Sequence, residues 1–133
     1  MIRNISIVIP IYNEQDNIIQ LIKEVRSALE KKINFEIIIV DDGSDDKTYE
    51  VVKKIKKINK NITVISHKKN YGQSIGLRTG IIEANSEYIV TLDGDGQNDP
   101  RDILKLIKFF DTKVNNMMVI GNRVNRIDSI AKK

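Results

Sequence analysis

Short apolar runs alternate along this chain with longer stretches in which apolar residues recur every three or four positions. Residues 5–11 (ISIVIPI) form a continuous, mostly β-branched run, which predicts a buried strand. Over residues 14–32, Ile18, Ile22, Val25 and Leu29 fall at helical spacing with charges between them, which predicts an amphipathic helix. Residues 35–40 (FEIIIV) read as a second buried strand. In the helix predicted after it, Val52, Ile55 and Ile58 make one stripe and Lys53, Lys54, Lys56, Lys57 and Lys60 the other. Residues 62–66 predict a third strand. Residues 72–84 predict a third helix, in which Gly76 and Gly80 would permit close packing on a sheet. Residues 87–92 (EYIVTL) predict a fourth strand. Pro100 fits the first turn of a helix carrying Ile103, Leu104, Ile107 and Phe110, and residues 117–120 predict a fifth strand before Gly121. Pro10 forfeits a backbone donor inside the first strand, so the sheet is expected to be irregular there.

Strict alternation of strands and helices predicts an α/β fold, a mostly parallel sheet with helices on both faces. Residues 1–133 show no internal repeat and no linker-like stretch, so one domain is expected. Ligands of such sheets bind beyond the carboxyl ends of the strands. The clusters of Asp, Asn and Gly in this chain follow strands one, two and four directly, which is the main sequence argument for a site.

Composition narrows the chemistry. The chain has 133 residues, 41% hydrophobic and 30% charged, as in an ordinary globular domain with a real core. A net charge of +4 demands no polyanionic partner, so nucleic acid is not expected, although it suits a position near an anionic surface. With no cysteine and one histidine, His67, thiolate and multi-imidazole metal sites are excluded and hard oxygen ligands remain. No apolar run approaches the roughly 18–20 residues that span a bilayer. The N-terminal run lacks a small-residue cleavage site and meets Pro10 and Glu14 early, so it reads as a strand and not a signal peptide. A soluble, cytoplasmic protein is the expectation, with peripheral association at the cytoplasmic face of a membrane.

The strongest candidate cluster is Asp93-Gly94-Asp95-Gly96-Gln97. Two carboxylates one residue apart at a strand end repel each other unless something offsets them, and a divalent cation does so. An ordinary Asp-Gly turn is the competing explanation, weakened by the buried strand before it and the two other polar strand ends. An EF-hand loop starting at Asp93 would need Gly and Glu where Asn98 and Leu104 stand, and a phosphatase-type nucleophile pair would want a hydroxyl where Gln97 stands. In Asp41-Asp42-Gly43-Ser44, helix capping competes with function. Asp45 or Asp46 is the expected cap, which leaves Asp41 and Asp42 as surplus carboxylates at the sheet edge. Pro10-Ile11-Tyr12-Asn13-Glu14 offers a ring that could stack on a base, and Asn70-Tyr71-Gly72-Gln73 offers amides at a helix start that could face phosphates.

Taken together, SIVIPIYNE, EIIIVDDGSDD, NYGQSIGLRTGI and EYIVTLDGDGQNDP resemble the family 2 glycosyltransferases of GT-A fold, and among them the dolichyl- and undecaprenyl-phosphate sugar transferases. The resemblance covers nearly the whole chain, with four motifs in the family's order. It implies a Rossmann-like GT-A domain that transfers a hexose-type sugar from a UDP- or GDP-linked donor to a polyprenyl phosphate. Pro10, Tyr12 and Glu14 match positions that line the nucleoside pocket, Asp41 matches the carboxylate that contacts the base, and Asp42 stands beside it. Asp93 and Asp95 match the catalytic DxD pair, which holds Mg2+ or Mn2+ and the diphosphate, with Gln97 next to that metal. Gly121-Asn122-Arg123, followed by Arg126 and Asp128, resembles the motif after the fifth strand, where Arg123 would approach an acceptor phosphate.

A sugar hydroxyl acceptor would need a general base, whereas a phosphate monoester, with a second pKa near about 6, is already mostly dianionic. No base stands out beyond the motif carboxylates, which favours a phosphate acceptor. The family pattern continues past residue 133 with acceptor-binding elements, so the chain is expected to be a truncated, donor-binding part that turns over poorly alone. A non-catalytic or split-enzyme sugar-nucleotide-binding domain is the alternative. A receiver-like signalling domain is the alternative from another class. It would place its acids after strands one and three and a Lys after strand five, whereas here the acids follow strands two and four.

Overall fold

A computed structural model of the chain describes residues 2–110, 113–115 and 117–121. The elements run β1 (Asn4–Ile11), α1 (Ile18–Leu29), β2 (Asn34–Asp41), α2 (Thr48–Ile58), β3 (Ile62–Ser66), α3 (Gln73–Glu83), β4 (Tyr88–Thr91) and α4 (Asp102–Lys108). The strands form one sheet in the order β3-β2-β1-β4, with every neighbouring pair parallel. The expected α/β fold is therefore present, and the four strands and four helices lie within a few residues of their expected bounds.

Because side chains alternate across a strand, β1 and β2 each serve two cores. Ile5, Ile7, Ile9, Ile37 and Ile39 point to one face and pack with Leu21, Ile22, Val25 and Leu29 of α1, Val52 and Ile55 of α2, and Ile103 of α4. Val8, Ile38 and Val40 point to the other, where Leu77 and Ala84 lie against them. Each fully buried isoleucine contributes about 1.5–3 kcal/mol. These strands hold isoleucine or valine on both faces because neither face meets water.

α3 meets the sheet through its glycines. A Cβ on Gly80 would lie 2.3 Å from Val8 Cγ1, and one on Gly76 would lie 3.1 Å from Pro10 Cβ. The helix backbone thus lies directly on β1, while Ile75 and Ile82 stay exposed.

One expectation holds on one side only and another needs correction. β1 keeps an unbroken register with β2 through Pro10, which pairs with Val40. In a parallel strand alternate residues face alternate neighbours. Val8 receives Leu92 N–H on the β4 side and Ile11 receives Asp42 N–H on the β2 side, so the missing donor of Pro10 falls on the β4 side. Pairing with β4 ends at Val8↔Thr91, so no ladder bond is lost and β1 and β4 diverge from there. The fifth strand is also not formed: residues 117–121 have no strand structure, and Met118 and Ile120 are exposed. A short apolar run becomes a strand only by pairing with an edge, and among the described residues the sheet ends on β4. Phe110 lies beyond the end of α4 and packs edge-on against Tyr88, with ring centroids 5.4 Å apart.

Candidate functional site

The turns after β1, β2 and β4 converge at the carboxyl edge of the sheet. There they enclose a cleft of about 420 Å3, lined by Pro10, Tyr12, Glu14, Asp42, Asp93 and Asp95 with Ile11, Asn70, Gly72, Gln73 and Gly94. Its floor lies where β1 and β4 part. Gly94 is buried there, and a Cβ on it would lie 2.5 Å from Ile11 Cγ2.

The first two turns are laced together. Asn13, at φ 52, receives the Asp45 amide on its side-chain oxygen and donates its own amide to Ser44 Oγ at 2.9 Å. The Glu14 amide donates to Thr48 Oγ1, and the Lys47 amide to Gln15 Oε1. Asp46 accepts from the amide and hydroxyl of Thr48, so it caps α2 although Lys47 occupies the N-cap position. Tyr12 is 44% exposed beside the cleft, and Glu14 holds the Asn17 side chain at 2.8 Å.

Asp41 and Asp42 are both buried but play different parts. Asp41 accepts from the amide and hydroxyl of Ser44, fixing the turn, and is not among the residues lining the cleft. Asp42 lies on the α3 side. Its Oδ1 accepts from the Tyr71 amide at 3.0 Å and meets His67 Nδ1 at 2.8 Å, and its Oδ2 accepts from the Gly72 amide at 2.8 Å. Burial works against its charge, but the His67 ring and the two amides outweigh that and hold the carboxyl below its ordinary value.

Asp93 and Asp95 lie on the opposite wall, exposed. Asp93 Oδ1 accepts from Gln73 Nε2 at 2.9 Å across the cleft, and Asp95 Oδ1 accepts from the Gln97 amide at 3.0 Å. Gly96, at φ 75, makes the turn from Asp95 to Gln97 possible. Gln97 itself does not line the cleft. Arg123, Arg126 and Asp128 lie outside the described residues.

A larger hollow, of about 520 Å3, opens at the other end of the sheet around Arg3, Glu36 and Asn85. Glu36 is consumed there by Ser6 Oγ and by the Asn85 amide and side chain, and Ser6 Oγ takes the Ser86 amide. Those bonds tie the turn before β4 to the sheet and occupy the Glu36 carboxylate.

Reading the sequence placed Asp42 and Gln73 near the edge but missed that His67, Asp42, Gln73 and Asp93 form one connected set. The signal lies in register. Asp41 pairs with Ser66, so the next residues, Asp42 and His67, emerge side by side. A single sequence does not disclose which strands are neighbours or in what register.

The four-stranded parallel sheet, with helices on both faces and an acidic cleft at its carboxyl edge, has the GT-A fold. The structure of S. aureus TarS matches it with TM-score 0.64 and 25% identity, over 79% of this chain and 19% of that one. Mannosyltransferase PcManGT from Pyrobaculum calidifontis, solved with GDP-Man and Mn2+, matches with TM-score 0.69 and 23% identity, over 78% of this chain and 31% of that one. The model of glycosyl transferase family 2 matches residues 6–132, and the chain belongs to that family. Similar proteins include the undecaprenyl-phosphate 4-deoxy-4-formamido-L-arabinose transferases of Photorhabdus laumondii subsp. laumondii and Salmonella choleraesuis. Each is 36% identical over 99% of this chain. The chain spans 41% and 40% of the length of these two relatives. No helix among the described residues is long and apolar enough to cross a membrane.

Proposed function

We propose that this chain is the donor-binding part of a glycosyltransferase that moves a sugar from a UDP- or GDP-linked donor to a polyprenyl phosphate. The observation that carries the reading is the convergence of Asp93 and Asp95 with the turns after β1 and β2 on one cleft. Family membership supports the reaction type. The names of the relatives support undecaprenyl phosphate as acceptor, and the structure of TarS 1-349 with UDP-GlcNAc, 26% identical over 77% of this chain, supports a nucleotide-linked donor. The transferred group is a hexose-type sugar or the substituted pentose for which the relatives are named.

The residues fit a divalent cation of the magnesium or manganese kind. Asp93 and Asp95 offer hard oxygens into the cleft, and no three His, Cys, Asp or Glu side chains among the described residues form a ready cage. A site with one or two carboxylates suits ions that take their remaining ligands from phosphates and water. Asp93 and Asp95 would hold the cation, with Gln97 beside them steadying Asp95 through its amide. When bound, such an ion offsets charge developing on the departing diphosphate as a Lewis acid.

The chain's own residues bind and orient. Tyr12 offers its ring at the cleft for stacking on the base. Asp41, the resemblance's base-contacting carboxylate, is buried outside the cleft lining, so its acceptance from a ring N–H of uracil or guanine requires the turn at Ser44 to open. Pro10 and Glu14 wall the nucleoside side. A dianionic phosphate acceptor needs no proton removed. Arg123 is proposed to approach that phosphate, a role its planar fork suits.

Calorimetric titration of UDP and GDP, each with and without manganese, into the wild type and Asp95→Asn tests this. Metal-dependent binding of one nucleotide, lost in the variant, supports the reading. A folded wild type that binds neither nucleotide sinks it.

A further inference from the structure

The two walls of the cleft are joined by a chain of hydrogen bonds that begins away from the acidic pair. His67, just past β3, meets Thr79 Oγ1 of α3 through Nε2 and Asp42 Oδ1 through Nδ1, both at 2.8 Å. An ionised carboxylate only accepts, so Nδ1 carries the proton toward Asp42, and the Thr79 hydroxyl completes the other ring nitrogen. Asp42 in turn takes the amides of Tyr71 and Gly72. Gly72 sits at φ 100 and ψ 163, a conformation open essentially to glycine alone, and α3 begins at the next residue. That residue is Gln73, whose Nε2 reaches Asp93 Oδ1 at 2.9 Å.

We infer that His67 and Gln73 are positioning residues for the cation site: His67 fixes Asp42, Asp42 fixes the start of α3, and Gln73 there aims the Asp93 carboxylate. The inference rests on the donor-site reading above. Gln73 is an exposed side chain with several rotatable bonds, so its bond to Asp93 persists only if its backbone is held. The unusual conformation of Gly72 would relax if Asp42 let go of its amide. With Gln73 engaged on Oδ1, Asp93 presents Oδ2 in a defined direction. Without Gln73, the carboxylate turns freely and repulsion from Asp95 drives it outward. Groups that orient a metal's ligands are typically worth about 10–100-fold in metal affinity.

The test is titration of manganese with UDP or GDP into the full chain, comparing wild type, His67→Ala, His67→Gln and Gln73→Ala, with each nucleotide also titrated without metal. In His67→Ala and Gln73→Ala, the metal-dependent gain in affinity is expected to fall roughly 10–100-fold. Binding of nucleotide alone changes far less. His67→Gln, which can still donate to Asp42, recovers part of the loss. Folded His67→Ala and Gln73→Ala with wild-type metal dependence overturn the inference. If His67→Ala does not fold, Thr79→Val removes only the outer hydrogen bond, and with Gln73→Ala it decides the matter by the same readout. A wild type without metal-dependent binding overturns the donor-site reading itself and the inference with it, a result visible before any variant is made.

Discussion

Gly80 and Val8 are in backbone-to-side-chain contact: a Cβ on Gly80 would lie 2.3 Å from Val8 Cγ1. Val8 is fully buried, β-branched and held in β1 between two parallel neighbours, so it has nowhere to retreat. Gly80→Ala gains up to about 1 kcal/mol in helix propensity, but overpacking of this kind costs about 1–3 kcal/mol. The expected net effect is destabilisation, read as a lower urea midpoint with an unchanged slope. An unchanged or raised midpoint would show that α3 does not rest on β1 as described.

Two glycines with left-handed backbones separate strain from obstruction. Gly43 has φ 70, and its Cβ would lie 2.4 Å from the Lys69 carbonyl carbon, whereas Gly96 has φ 75 with open space around it. Gly96→Ala should cost only the local strain, about 1–2 kcal/mol. Gly43→Ala must also push the loop of residues 67–70 away. Chemical denaturation should therefore find Gly43→Ala the more damaging, and equal losses would contradict the packing of these two loops.

The buried carboxylate of Asp42 predicts a pH dependence. Its folded pKa lies below its unfolded one, so its contribution is full above the unfolded value, about 3.9, and is lost as pH falls through the folded value. Glu36, also lowered, acts in the same direction. Urea midpoints of the wild type should fall as pH drops from about 5 to about 2.5, and those of Asp42→Asn should fall less over the same range. At neutral pH the variant should already be weaker by about 1–3 kcal/mol, because the Tyr71 and Gly72 amides lose a charged acceptor. Parallel acid curves would remove Asp42 from this account.

Asp99 supplies a control for charge near the acidic turn. Arg101 clasps it through Nε and Nη2, and the carboxyl is lowered to about 2. Both side chains are exposed, and exposed pairs contribute about 1 kcal/mol or less. Asp99→Asn should leave manganese-dependent nucleotide affinity within about twofold, a few tenths of a kcal/mol, where Asp95→Asn abolishes it. A loss as large as that of Asp95→Asn would mean that net charge, and not the Asp93–Asp95 pair, governs binding.

What the sequence disclosed follows from what a sequence encodes locally. Buried runs such as residues 5–11 and 35–40 can only be strands in a sheet covered on both faces, and the polar clusters at their ends mark its functional edge. The glycines of α3 were legible as contacts, although the helix shows its isoleucines to solvent, which periodicity alone would not suggest. Residues 117–120 misled because apolar, β-branched composition describes a strand's side chains and says nothing of whether an edge is free to pair with it. Pro10 was legible only in part for a related reason: the sheet parts on its β4 side and stays regular on its β2 side, because its cost depends on which neighbour its nitrogen faces. The pairing of Asp42 with His67 was invisible because it is a product of register between β2 and β3.

The sheet order also fixes a timetable. β1 leaves the ribosome before β2, β3 and β4, yet its second neighbour is β4, and the Val8 carbonyl waits for the Leu92 amide. While the intervening residues are made, this strand, buried along nearly its whole length in the finished fold, keeps one edge unpaired, a hazard for wrong association. The acidic wall follows β4 and closes against a surface that β2 and β3 have already shaped. The cleft is therefore complete only on a nascent chain that has put β1 in the middle of the sheet.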